Sequence, residues 1–203
     1  MSLPWGSSHR IVLLAPVTTV AQAAAAAAAG AALVDAGRDG ALVSAIRRAV
    51  SGVRVCGQHE SADLVRDAGL AARTGSALIC PGPDAAAAAV RRGVRAERIL
   101  VQAAPARIEA AVRAGWPVLA DLEGLADLEG QDGRAGTEAV AAVCAWLGAS
   151  VLRTRYVAEV RRCADMTESI LGRRPPAWAV RGLALSPGPG ARCPGPGRRG
   201  PRG

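Results

Sequence analysis

The chain has 203 residues, half of them hydrophobic, and a formal net charge of +8. That length suits one domain with a sizeable core, and no stretch reaches the ~20 apolar residues of a membrane span without a charge or a turn signal, which excludes a spanning protein. The charge suggests nucleic acid until it is located: residues 173–203 hold seven Arg and no acid, leaving 18 Arg against 17 acids before them, so the body is nearly neutral and offers no nucleic-acid face.

All 25 basic residues are Arg, and Lys, Asn and Phe do not occur; a GC-rich gene is the simplest cause. The cysteines at 56, 80, 144, 163 and 193 form no CxxC pair. A disulfide framework is not expected, and a reducing cytoplasm fits.

In chain order, the first predicted strand is IVLLA (11–15). Its setting, HRIVLLAPVTTVAQAAA, shares a positive start, a short apolar run and AQA with signal peptides, although Pro16 and two threonines interrupt it. A helix follows over 20–29, then the strand AALVDA (31–36) and a helix over 40–50. The strand VRVC (53–56) leads to a helix over 60–69, and SALIC (76–80) to one over 84–92. RILVQ (98–102), PVLAD (117–121) and ASVLR (149–153) are the remaining strands, with helices over 105–114, 136–147 and 157–171. Gly30, Gly52, Gly93, Gly115 and Gly148 fall where helix-ending glycines belong, and Asp84 and Thr137 read as N-caps. Such alternation implies parallel strands with helices outside. Seven units approach the eight of a (β/α)₈ barrel, which usually takes ~250 residues. The expected body, residues 1–172, is therefore an α/β fold: a shortened or incomplete (β/α)₈ TIM barrel, or else an open sheet. From Pro175 onward the chain is rich in Pro, Gly and Arg, and residues 173–203 are expected to be a disordered tail.

In either architecture sites collect at the C-terminal ends of strands. There GASVLRTRYV (148–157) places Arg153 and Arg155 two apart, hence on one face. Two exposed guanidinium forks suit phosphate oxygens, and the pair is expected to hold pyrophosphate or sulfate weakly, with a Kd of order 0.1–1 mM. Cys56 and Cys80 end what read as adjacent strands, with His59 close by; simple packing is the plainer reading than a metal or thiol site.

The segment EGQDGRAGTEAVAAVCAWLGASVLRTRYVAEVRRCADMTESILG (129–172) resembles the end of a dihydropteroate synthase. Asp132, Arg134, Gly136, Thr137, Gly148, Ala149, Arg153 and Val157 match that family's last helix and strand. GAALVDAG (30–37) resembles its strand two, and GVRAERILVQAAP and AGWPVLADLEG resemble strands six and seven. Roughly one strand–helix unit looks missing, between Cys80 and Ala96.

The resemblance implies a transferase that joins p-aminobenzoate to a hydroxymethyl-dihydropterin pyrophosphate, with Mg²⁺ if that activity is kept, and a homodimer built on the last helices. It also implies which residues should do the work. Asp35 keeps the strand-two Asp and Arg153 the strand-eight Arg. The strand-one Asn falls on Pro16, the strand-three Asp on Cys56, the strand-four Asn on Cys80, and the strand-six Asp, a pterin contact, on Gln102. The strand-seven Lys falls near Leu125 in the acidic loop DLEGLADLEG (121–130), which reads as a solvated, helix-capping loop and would otherwise repel pyrophosphate. The strand-eight His becomes Arg155 and the following Asp becomes Tyr156. Each lost charge-assisted contact is worth roughly 1.5–3 kcal/mol, and realignment cannot restore a Lys or an Asn to a chain that has none. The expectation is a catalytically degenerate family member that binds a pterin-like ligand or a pyrophosphate-like anion at Asp35, Gln102, Arg153 and Arg155, or that partners an active paralogue. The alternative is a working synthase with a rearranged site.

Overall fold

A computed structural model of the chain describes residues 10–123 and 133–173. Its order is β1 (Val12–Pro16), α1 (Val20–Ala28), β2 (Leu33–Asp35), α2 (Gly40–Ala49), β3 (Arg54–Cys56), β4 (Leu64–Val65), α3 (Ala68–Thr74) and β5 (Ala77–Cys80). Then come α4 (Pro83–Arg91), β6 (Ile99–Gln102), α5 (Pro105–Arg113), β7 (Val118–Asp121), α6 (Gly133–Trp146), β8 (Val151–Arg153) and α7 (Val157–Ile170). The eight strands are parallel and close in chain order, with β1 pairing both β2 and β8. The fold is thus a closed (β/α)₈ barrel rather than an open sheet.

Period-two alternation builds its two apolar layers. Val12, Leu14, Leu33, Leu64, Ile79, Leu100, Leu119 and Val151 belong to one buried cluster that fills the barrel. Their neighbours Leu13, Val34, Leu78, Val101 and Leu152 belong to a second, which joins the strands to the helices. Ala23 and Ala26 of α1 and Ala86 and Ala89 of α4 supply the buried helix faces. Small side chains there let helices pack close around a narrow barrel. The apolar run at the chain's start is buried strand β1.

The sequence-based unit count needs correction. The predicted helix over 60–69 is not formed. Leu64–Val65 is the fourth strand, pairing with β3 at Cys56 and with β5 at Ala77 and Leu78, and the helix begins only at Ala68. Asp63 explains the local choice: its carboxylate accepts from the Val55 amide at 2.9 Å and from Arg47 at 2.8 Å, so the chain before β4 is tied to β3 and α2 instead of coiling. Nothing is missing between Cys80 and Ala96, where α4 follows β5 directly. What the barrel lacks among its described residues is a helix between β3 and β4, and Cys56 and Cys80 are separated by a strand rather than adjacent.

The caps also differ. Asp84 lies inside the first turn of α4, which starts on Pro83 after Gly82. Thr137 lies within α6, where its hydroxyl donates to the Gly133 carbonyl. The N-caps that form are Thr19, Asp39 and Asp67, each accepting an amide three residues on. Gly148 is among the expected helix-ending glycines; its φ of +97° is one that side chains rarely adopt.

Candidate functional site

The C-terminal ends of β1, β2 and β8 open into a cavity of about 740 Å³, whose polar lining includes Thr18, Gln22, Asp35, Glu123, Arg153 and Arg155. Strand parity puts its chemistry there. On β2, β4, β6, β7 and β8 an inward aliphatic is followed two residues later by a polar residue: Leu33 by Asp35, Leu64 by Arg66, Leu100 by Gln102, Leu119 by Asp121, and Val151 by Arg153. The barrel mouth is therefore a ring of polar side chains resting on an apolar plug.

Asp35 is its centre and is only 6% exposed. The Arg66 fork grips it, Nη2 to Oδ2 at 2.9 Å and Nη1 to Oδ1 at 3.3 Å. Arg153 Nε donates to Oδ2 at 3.2 Å and the Gly37 amide to Oδ1 at 3.1 Å. A carboxylate offers about four lone-pair sites, and these four donors fill them. Burial alone raises the Asp35 pKa, but Arg66, through hydrogen bond and charge, the Gly37 amide and Arg153 outweigh it and hold the carboxyl below its usual value. Arg153 also reaches Asp121 with Nη1, at 3.1 and 3.2 Å to its two oxygens.

Arg153 and Arg155 both line this cavity, with Thr154 between them fully buried. Arg155 is clasped in turn by Glu123, which accepts its backbone amide at 2.6 Å and its Nε at 2.7 Å. Arg153 is therefore largely buried and Arg155, although its side chain is 55% exposed, is ion-paired with Glu123, so the two are not the pair of unpaired cations that weak anion binding assumes. Asp121 and Glu123, the first acids of the loop expected to be solvated or repulsive, neutralise the arginines of β8. The guanidinium carbons of Arg134 and Arg155 each lie over the Tyr156 ring, 5.8 Å from its centroid. Leu125 lies outside the described residues.

Arg66 is the residue that sequence reasoning missed, through the missed β4. Its signal was present: LVR follows the same inward parity as LVD on β2. Counting strands also moves the family's strand-four position from Cys80, which ends β5, to the end of β4 beside Arg66. Gln102 ends β6 as expected. It lines a second hollow of about 540 Å³ with Asp84 and Arg107, and no hydrogen bond among the described residues ties it to the Asp35 network.

The Cys56 thiol lies 3.5 Å from Arg66 Nη1. Burial, reinforced by the Asp35 charge and opposed by Arg66, pushes its pKa up to about 12. A thiol held neutral is a poor nucleophile at physiological pH, and no group of three His, Cys, Asp or Glu side chains that could hold a metal occurs among the described residues. Nor do these residues fit Mg²⁺: Pro16 at the strand-one position has no side-chain donor, and the oxygens of Asp35 and Asp121 are engaged by arginine. No step through a metal follows from this site.

The fold and the polar ring at the strands' C-terminal ends define a barrel of the type that carries ligand sites at its mouth. No protein-family model matches the chain. The inactive dihydropteroate synthase 2 of Mycobacterium tuberculosis is 34% identical over 128 residues, covering 53% of this chain and 40% of that relative. Its Mycobacterium leprae counterpart is 37% identical over 84 residues, 38% and 28% of the respective chains. This chain thus spans less than half the length of the curated relatives it matches. Among solved structures, Mycobacterium tuberculosis Rv1207 superposes with a TM-score of 0.68 at 24% identity, over 87% of this chain and all of that one. The Yersinia pestis dihydropteroate synthase gives 0.66 at 17%, over 80% and 93%. The chain is thus similar in sequence to inactive dihydropteroate synthase 2 proteins and shares its barrel fold with the dihydropteroate synthases.

Proposed function

We propose that the protein is a non-catalytic dihydropteroate synthase-like barrel, which forms no dihydropteroate. The observation that carries this reading is the internal saturation of the mouth. Pyrophosphate departure needs cations aimed at the developing charge and not yet neutralised. Arg66, Arg153 and Arg155 are each paired with a carboxylate of the same barrel. Freeing Arg153 costs its contacts to Asp35 and Asp121, roughly 1.5–3 kcal/mol each, before any gain from substrate. The ligand class left to the cavity is a flat, neutral, pterin-like ring without its leaving group, held against the arginine planes at Arg153 and Arg155, with Asp35 taking part only where an arginine gives way.

Self-association belongs to the same reading. Val143 and Trp146 of α6 and Met166 and Ile170 of α7 are 53–65% exposed on helices that pack together, and a second copy covering these faces would bury them. A cytoplasmic setting agrees with the free thiols of Cys56, Cys80, Cys144 and Cys163. No helix among the described residues is long and apolar enough to cross a membrane.

The test is chromatographic detection of dihydropteroate from p-aminobenzoate, the pterin pyrophosphate and Mg²⁺, with an active synthase in parallel. The expected result is no product above the protein-free control. Turnover within about a hundredfold of the active enzyme, some 2.7 kcal/mol of barrier, contradicts the proposal and returns the chain to the working synthases.

A further inference from the structure

We propose that Arg66 is a built-in occupant of the barrel mouth: its guanidinium fills a carboxylate seat at Asp35 that, uncovered, takes a small planar guanidinium or amidinium group. The inference deepens the reading of the mouth as this barrel's ligand site.

The geometry is that of a bound ligand. A planar fork meets a buried carboxylate with two nearly parallel N–H bonds, Nη2 to Oδ2 at 2.9 Å and Nη1 to Oδ1 at 3.3 Å. This is the bidentate arrangement that guanidinium compounds adopt with carboxylates. The partners differ sharply in burial: the Asp35 side chain is 5% exposed and that of Arg66 33%. The seat belongs to the barrel wall, and the fork enters it from the side open to solvent. Arg66 also sits directly after the two-residue strand β4 and before Asp67, the α3 cap, so it is delivered by a short connection rather than packed within an element. The floor of the seat is Cys56, whose sulfur touches Nη1 at 3.5 Å. A neutral thiol in that place neither repels a cation nor competes for the carboxylate. With Arg66 removed, two of the four donors to Asp35 are lost, and Arg153 and the Gly37 amide hold the carboxylate in place facing the vacated space. Burying a carboxylate with half its acceptors unfilled is costly, which is the driving force for a replacement fork.

The experiment titrates guanidinium chloride against methylammonium chloride at matched ionic strength, well below denaturing concentrations. Wild type and Arg66→Ala are compared by calorimetry and by melting temperature. Arg66→Ala should melt lower than wild type, and guanidinium should restore part of that loss with saturation at millimolar levels. Its affinity should exceed that of wild type at least about tenfold; methylammonium, which cannot fork, should do neither. Adding Asp35→Asn to Arg66→Ala should abolish the rescue. If Arg66→Ala does not fold, Arg66→Met keeps the apolar stem and is titrated the same way. Three results overturn the proposal: an Arg66 variant that folds and gains nothing from guanidinium, a rescue that survives Asp35→Asn, or a wild type that itself binds guanidinium saturably at low millimolar concentration. Dihydropteroate formation is assayed on the same samples. Turnover sinks the non-catalytic reading, whereas failed rescue without turnover sinks only the plug.

Discussion

The two ends of the barrel are closed by the same chemistry. At the bottom, Glu168 is 1% exposed and accepts the Ile11 amide at 2.7 Å, while Arg161 donates to the Ile11 carbonyl at 2.6 Å. Arg161 is further paired with Asp165 at 2.6 Å and Glu168 at 3.5 Å. This network clamps α7 to the start of β1, a purely structural task, as expected of that face of a barrel. At the top, Arg66, Asp35, Arg153 and Asp121 form an equally continuous chain. A working mouth keeps some polar groups unsatisfied in the free protein so that a ligand can satisfy them. Here the top resembles the bottom: its charged side chains are paired with one another.

The comparison sharpens through substitutions at each end. The largest effect is expected at the bottom. Glu168→Ala leaves Arg161 buried with one carboxylate fewer and an unpaired Ile11 amide, and should cost about 3–5 kcal/mol, read by urea denaturation. A loss under about 1 kcal/mol would mean that the bottom network contributes little and that the likeness of the two ends is superficial.

The next effect, about 2 kcal/mol, is expected for Asp35→Ala at the mouth, a lower melting temperature by several degrees. The sign matters more than the size. Residues held ready for function are commonly neutral or stabilising when replaced, so a variant as stable as wild type contradicts the structural account of the mouth. The same residue sets a pH dependence. The folded state holds the Asp35 pKa below the value of 3.8 for an unperturbed carboxyl, so the unfolded chain binds the proton first as pH falls. The stabilisation is complete above about pH 4 and disappears as pH drops through the folded value. Acid unfolding of Asp35→Asn should therefore be less steep than that of wild type.

The smallest effect is expected far from both ends. Arg173 still touches the barrel, its amide to the Glu168 carbonyl at 2.9 Å and its guanidinium to the Ala145 carbonyl at 3.5 Å. Residues 174–203 lie outside the described residues, and their Pro/Gly/Arg composition offers little apolar area. Deleting them should leave the melting temperature within about 1 °C. A drop of several degrees moves the domain boundary into the tail.

Much of the barrel was legible in the sequence, because seven of its strands are long enough to show β-branched runs between helix-ending glycines. β4 was not. Two residues carry no periodicity, and SADLVRDAG (61–69) satisfies a helical pattern equally well. Asp35 and Arg153 were legible as inward residues at strand ends. Their pairing was not, since the bonds join residues 31, 118 and 32 positions apart and depend on barrel closure. The part of Asp121 and Glu123 was not legible for the same reason: whether they repel an anion or neutralise a cation is decided by the arginines that β8 brings beside them. That Pro16, Cys56 and Gln102 stand where the family has its site residues is an expectation that rests on the sequence resemblance, residue by residue.

The most direct test of the central claim, that the mouth has consumed its own cations, is a calorimetric titration of pyrophosphate at low salt. Wild type and Arg153→Ala with Arg155→Ala are compared. The account predicts no saturable heat in either protein up to about 10 mM, a free energy of at most ~2.7 kcal/mol. Binding by wild type at or below about 1 mM that the double variant loses would contradict it, and would show that Arg153 and Arg155 remain an anion site despite Asp35, Asp121 and Glu123.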